Sequence, residues 1–399
     1  MSFSVLQIHR FASHLQFPLA QNLYRLLGDD FRFACWEPVP GKREALGWQD
    51  VGEDTPWMIR AWETEKARKE YQDRLFASDV VIGNPQNRQI IIERSQGGKI
   101  SLLPSERPLK RQNSTLGEVP HQRRGKYSLF QTLSYYRHHS QKIQGWRSID
   151  SPFCHVLSIG AYCPWDLHRL GLFNDRIWTF GYFIDVPSGI PQVRSDQQIQ
   201  ILWAGRMVNW KRVDVLIKAC DILRQKKLAF HLKLIGDGPE NASLMKLVTD
   251  LGLQNMVSFH PPITPLQVRQ EMRTAHSFVL PSTQEEGWGA VIGEAMAEGC
   301  AVISTHGAGA APLLIQHGKT GYLFPVNDIE SLAKYLEELI NNPKKTQEIG
   351  LEGWKMMKST WGPDVAANRL VRLIDGLLGR ENMPEFTDGP CSRALIVKP

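Results

Sequence analysis

From Gln200 to Asn342, short apolar runs of strand length alternate with amphipathic stretches of helix length, and this pattern restricts the chain more than any other. It predicts strands at Ile201–Ala204, Phe230–Ile235, Val257–His260, Phe278–Leu280, Ala301–Ser304 and Tyr322–Phe324. Between them, Val213–Arg224, Glu240–Leu251, Leu266–Arg273, Ala290–Glu298 and Ile329–Asn342 carry apolar residues at helical spacing. Strands separated by helices pair in parallel, because the crossover helix covers the sheet face it returns along. The fold class is therefore α/β, with doubly wound parallel sheets.

The first half repeats the theme less regularly. Strands are predicted at Val5–Ile8, Phe31–Trp36, Val80–Ile82, Ile100–Leu103, Val156–Ser158 and Trp178–Phe180, and helices at Pro18–Leu27, Arg60–Phe76, Gln86–Arg94, Leu129–Gln141 and Trp165–Leu170. Asp185 to Asp196 holds Pro187, Gly189 and Pro191 without apolar periodicity, and reads as a linker. Two Rossmann-like domains, residues 1–190 and 198–361, are expected to face each other across a cleft. Beyond Pro343 the pattern gives two more helices, Lys345–Met357 and Val365–Leu378, and an irregular tail after Gly379. Parallel sheets bind ligands at the carboxyl ends of their strands, so function is expected in the cleft.

The 399 residues, 42% hydrophobic and 22% charged, exclude a disordered chain. No apolar run reaches membrane-spanning length, and Met1 to Arg10 lacks the charged head and apolar stretch of a signal peptide, which points to the cytoplasm. Cys35, Cys154, Cys163, Cys220, Cys300 and Cys391 show neither Cys-x-x-Cys pairing nor histidines at zinc spacing. They read as buried thiols, and no metal site is expected. His138, His139, His155 and His168 are read as solvated or core histidines, and Asp29-Asp30 as a turn.

The formal net charge is +6, but Lys99 to Arg147 holds ten basic residues against two acidic ones, Glu106 and Glu118. Interleaved with Tyr127, Phe130, Tyr135, Tyr136 and Trp146, this stretch suits an anionic membrane surface, a pyrophosphate-linked acceptor or nucleic acid, or forms a solvated face.

Two loops carry the chemistry. Leu280 to Cys300 reads as a strand, a polar loop with Glu286, Gly287, Trp288 and Gly289, and a helix carrying Glu294. The unpaired N–H groups at such a helix start suit a phosphate. Carboxylates beside a phosphate repel it unless they bind hydroxyls, so a sugar nucleotide fits better than a simple phosphate. Leu202 to Asp214 reads as a strand end followed by Arg206 and Lys211, two cations able to neutralise a diphosphate. His14, in the loop after the first strand, is placed to meet the diphosphate or the acceptor. Glu106 either orients an acceptor hydroxyl or pairs with Arg107 or Lys110, and Asp166 reads as a first-turn helix acid.

Arg206 and Lys211, Ile235-Gly236-Asp237-Gly238-Pro239, Val257-Ser258-Phe259-His260, Pro281-Ser282 with Glu286 and Glu294 in a Glu-x7-Glu pattern, and Gly318-Lys319-Thr320-Gly321 follow in this order. The series resembles the retaining glycosyltransferases of family 4, of GT-B fold, over Gln200 to Asn342. The first-domain stretches His9 to Phe17, Leu103 to Arg107 and Phe180 to Phe183 are similar to a subgroup associated with bacterial surface polysaccharides.

The resemblance implies an acceptor-side domain over 1–190, a donor domain over 198–361, and a last helix within 362–399 returning to the first domain. It implies sugar transfer from a nucleoside diphosphate, of UDP or GDP type, to a hydroxyl of a glycan or lipid-linked acceptor, with retention and no metal. By the same resemblance Arg206 and Lys211 hold the pyrophosphate, Glu286 the sugar and Glu294 the ribose. The backbone of Gly287, Trp288 and Gly289 lines the donor, and Pro262 lies near the base. Location is cytoplasmic, with peripheral attachment to the inner membrane face through 99–147; no nucleic acid is expected.

Three departures stand out. Gly309-Ala310-Ala311-Pro312-Leu313 lacks the acid that often follows proline in the family, the usual glycine-rich loop after the first strand is absent, and no Asp-x-Asp occurs. A catalytically silent GT-B subunit or an anionic-polymer-binding protein is the alternative. A nicotinamide dehydrogenase requires a third glycine that Gly236-Asp237-Gly238-Pro239-Glu240 does not supply.

Overall fold

The computed structural model describes residues 3–41, 51–52, 55–109, 140–194 and 198–399. The first unit runs β1 (Val5–His9), α1 (Phe17–Leu27), β2 (Phe31–Cys35), β3 (Met58–Arg60), α2 (Glu65–Ala77), β4 (Val80–Ile82), α3 (Gln89–Gln96), β5 (Ile100–Ser105), β6 (Cys154–Ile159), α4 (Cys163–Arg169) and β7 (Ile177–Phe180). Its seven strands lie in the order β3-β2-β1-β4-β5-β6-β7, every pairing parallel.

The second unit runs β8 (Ile199–Ala204), α5 (Val213–Gln225), β9 (Phe230–Ile235), α6 (Asn241–Asp250), β10 (Val257–His260), α7 (Pro265–Thr274), β11 (Ser277–Leu280), α8 (Ala290–Ala297), β12 (Ala301–Thr305), α9 (Ala311–Leu314), β13 (Gly321–Phe324), α10 (Ile329–Asn341) and α11 (Pro343–Ser359). Its six strands lie in the order β10-β9-β8-β11-β12-β13, again all parallel. The order reverses between β8 and β11, so the loops leaving those two strands diverge and open a crevice. In the first unit the same reversal falls between β1 and β4.

A helix over Arg60–Phe76 was expected; the structure gives β3 at Met58–Arg60 and starts α2 at Glu65. Thr64 sets that start, because its side chain accepts from the Ala67 N–H and satisfies a donor the first turn leaves open. The tail beyond Gly379 forms no helix or strand but does not run free. Cys391 N–H donates to Thr179 O at 2.8 Å, Thr179 N–H to Ser392 O at 2.8 Å and Ala394 N–H to Ile177 O at 3.1 Å, so it pairs antiparallel along the β7 edge. That pairing covers an edge strand that otherwise invites association. The expected helix at Leu129–Gln141 and the basic residues Lys110, Arg111, Arg123, Arg124, Lys126 and Arg137 lie largely or wholly outside the described residues.

The last helix, α12 (Pro363–Leu377), packs on α1 of the first unit. The largest apolar cluster joins Leu19 and Leu23 of α1 to Leu370 and Ile374 of α12, and continues through Phe183, Trp288 and Trp361 into α8. Ile292 and Ala295 to Ala297 of α8 are fully buried, which is why that helix is apolar on nearly every face. The linker lies on the second unit: Trp354 Nε1 donates to Pro187 O at 3.2 Å, and the Arg194 guanidinium to Gly299 O at 2.8 Å and Glu298 O at 2.9 Å. The six cysteines are free and buried. Among the described residues no helix is long and apolar enough to cross a membrane.

Candidate functional site

The two loops at the β8/β11 reversal build the site. After β8 the backbone passes Gly205, whose carbonyl is approached so closely by Gly236 that a Cβ on Gly236 would stand 1.9 Å from it. Only glycine permits that crossing of the β8 and β9 ends. A 3-10 turn over Asn209–Lys211 follows, and Arg212, left-handed at φ 48°, is held by a two-pronged ion pair with Asp214. The turn carries Lys211 inward, whereas Arg206 is exposed and forms no ion pair among the described residues.

After β11 the chain enters the loop before α8. Thr283 N–H donates to Trp210 O at 2.8 Å and ties the two loops together. Gly309 N–H donates to Gly287 O at 2.8 Å and Ala310 N–H to Trp288 O at 2.9 Å. A trans peptide carries its N–H opposite its carbonyl, so the N–H groups of Trp288 and Gly289 face away from 309–310. Gly289, left-handed at φ 79°, ends the loop, and no side chain caps α8. The first turn of α8 therefore presents unpaired donors and the positive end of its dipole.

The expected site residues come together in part. Lys211 Nζ lies 2.5 Å from Glu286 Oε2, and Ser282 Oγ donates to the same oxygen at 2.9 Å. Both Lys211 and Glu286 are largely withdrawn from solvent. Glu294, further along α8, is buried, and burial pushes its carboxyl up to about 7. Glu298, one turn on, takes Arg269 Nε at 2.7 Å and Arg273 Nε at 2.7 Å, so the arginine nearest Glu294 is engaged by its neighbour. His14 reaches over from the loop after β1, its Nε2 3.9 Å from Glu294 Oε1.

The Trp288 backbone lines the site, but its ring is 3% exposed and packs on Trp361 at a centroid distance of 5.7 Å. A Cβ on Gly181 would stand 2.5 Å from that ring, so the Gly181 backbone of the first unit rests directly on it. Pro262 is exposed in the loop after the edge strand β10 and does not line the cavity described here. Asp166 stands in the first turn of α4, as the sequence reading has it, and is in addition 1% exposed and bound by Arg107, with Nη2 to Oδ1 at 2.9 Å.

The units meet at this point. Ala161 N–H donates to Gly309 O at 2.9 Å, Tyr162 Oη donates to His306 O, and a cavity of about 290 Å³ lies between Glu106 and Gln16 on one side and Glu286 and Gly287 on the other. The Tyr162 contact was not legible in the sequence: a tyrosine at a helix start carries no local sign of a partner 144 residues away.

The geometry can be set beside known proteins. Residues 190–356 match the family model for glycosyl transferases group 1. An uncharacterized glycosyltransferase of Haemophilus influenzae is 33% identical over 144 residues, 36% of this chain and 40% of that one. An amylovoran biosynthesis glycosyltransferase of Erwinia amylovora is 29% identical over 189 residues, 45% of this chain and 46% of that one. The chain thus spans less than half the length of these curated relatives. Among solved structures, Anabaena HepE in complex with UDP superposes with a TM-score of 0.64 at 15% identity, covering 94% of this chain and all of HepE. The architecture is the GT-B fold, two Rossmann-like units facing across a cleft.

Proposed function

We propose that this chain is a retaining, metal-independent hexosyltransferase that moves a sugar from a nucleoside diphosphate to a hydroxyl of a glycan or lipid-linked acceptor in bacterial polysaccharide synthesis. One observation carries the reading: the uncapped start of α8 and the Gly287–Gly289 backbone lie beside Lys211 and Glu286 at the strand-order reversal, facing the first unit. The family match over the second unit and the polysaccharide relatives support it. HepE, solved with UDP, favours a uridine donor.

In this reading Arg206 and Lys211 hold the diphosphate, and the α8 start adds its donors. Glu286 accepts from sugar hydroxyls, and Glu294 from the ribose. The bond from the anomeric carbon to the diphosphate breaks while the acceptor oxygen bonds to that carbon on the same face. The acceptor proton passes to the departing diphosphate oxygen, whose growing charge Arg206, Lys211 and the helix start stabilise. Side-chain cations do the work of a metal. The basic stretch from Lys99 to Arg147 brings the enzyme to an anionic inner membrane face, which flotation with anionic against neutral liposomes tests.

Calorimetric titration with UDP, GDP, ADP and TDP, repeated with Lys211→Ala, tests the donor site. One nucleotide is expected to bind to the wild type and to lose most of its affinity in the variant. Binding of RNA or DNA and of no nucleotide would sink the proposal.

A further inference from the structure

We infer that Glu106 reads the transferred sugar from across the cleft, an inference that rests on the donor reading above and sharpens it. Glu106 follows β5 in the first unit, yet its carboxylate lies against the backbone of Gly287 in the second. A Cβ placed on Gly287 would stand 2.2 Å from Glu106 Oε2 and 2.4 Å from Oε1. The adjacent Arg107 is committed elsewhere: its Nε and Nη2 donate to Asp166 at 3.2 and 2.9 Å, and Leu109 N–H donates to the same carboxylate at 3.0 Å. Arg107 is thereby held by Asp166, while Glu106 lines the cavity between the units.

Glu106 and Glu286 therefore line one cavity of about 290 Å³ from opposite units. Glu286 spends one oxygen on Lys211 and Ser282. Two carboxylates facing one space repel a diphosphate, but each accepts hydroxyl hydrogen bonds, and charged acceptors make the stronger ones. The group that fits between them is neutral and rich in hydroxyls, namely the sugar of the donor. The diphosphate falls to Arg206, Lys211 and the α8 start.

The two carboxylates belong to different units, so a sugar bound by both bridges the units. A nucleoside diphosphate without its sugar offers Glu106 nothing. Glu106 thus separates affinity for the nucleotide from affinity for the nucleotide sugar.

The test titrates wild type, Glu106→Gln and Glu106→Ala with UDP, UDP-glucose and UDP-N-acetylglucosamine, and with GDP and GDP-mannose, while thermal melts check folding. Glu106→Gln keeps the shape and loses the charge. It is expected to leave the Kd for the free diphosphate within about twofold and to weaken the cognate nucleotide sugar by about tenfold, with Glu106→Ala at least as weak. Equal loss for both ligands makes Glu106 a residue that shapes the Gly287 loop, and no loss for either removes it from the site; each result overturns the inference while leaving the donor reading in place. A wild type that binds none of the five, and neither ADP nor TDP, overturns both.

Discussion

Lys211 Nζ lies 2.5 Å from Glu286 Oε2, so the residues expected to hold the diphosphate and the sugar of a donor are paired with each other. The pair is largely shielded, and each charge has been taken out of water for the other. In the proposed function a diphosphate arriving at Lys211 would compete with Glu286 and free that carboxylate for the sugar. One exchange would then prepare both contacts.

Lys211→Ala should cost about 2–3 kcal/mol of unfolding free energy, because Glu286 keeps its burial and loses its cation. Lys211→Met with Glu286→Gln should recover most of that loss, since no unpaired charge remains, while nucleotide binding stays weak. Urea unfolding of the three proteins checks the first statement and calorimetry the second. A double variant no more stable than the single one would show that the pair matters little to folding.

Arg107→Ala is expected to be the more damaging change, by about 3–5 kcal/mol, since Asp166 is 1% exposed and depends on that guanidinium. Arg107→Ala with Asp166→Asn should restore about half. The prediction is checked by denaturant midpoints at constant slope.

The second unit was legible almost element by element, since β9 and β10 fall on the residues where apolar runs of strand length occur. Lys211, Glu286 and Gly287 to Gly289 were legible too, because a motif and a helix start mark them locally. What was hidden is long-range. β3 is three residues long and its parallel partner β2 lies more than twenty residues back, so no local period announces it. The tail adds itself to β7 through backbone hydrogen bonds, which leave no mark in side-chain pattern. Glu106 against Gly287 and His14 near Glu294 join opposite units, and no spacing within either unit encodes them.

Removing residues 388–399 should expose the β7 edge and take away the Arg393 guanidinium that lies 4.0 Å from the Trp178 ring centre. Three backbone hydrogen bonds and the burial of Cys391 go with it, a loss of about 3–5 kcal/mol. The shortened protein should melt lower and associate through the bared strand, which light scattering detects. An unchanged melting point would mean that the tail rests on the edge without stabilising it.

Glu294 sets a pH dependence whose sign runs against the usual behaviour of acids in ion pairs. Burial raises its carboxyl from 4.5 to about 7 in the folded protein, so between those values the folded state holds a proton that the unfolded state has released. Stability linked to this group is complete below about pH 4.5, falls as pH rises toward 7, and levels off above it. The slope approaches about 1.4 kcal/mol per pH unit in mid-window, and the whole contribution is on the order of 3 kcal/mol. Glu294→Gln should flatten this fall and leave the protein more stable than wild type at pH 8, while binding nucleotide less tightly because an amide accepts ribose hydroxyls less strongly than a carboxylate. Arg269 and Arg273 stay with Glu298 in the variant, and His14, whose Nε2 stands 3.9 Å from Glu294 Oε1, keeps a polar neighbour in the glutamine. Unfolding curves at intervals from pH 4.5 to 8 decide the matter: if wild type and variant keep a constant difference throughout, Glu294 does not titrate in this range and its burial is compensated within the folded protein.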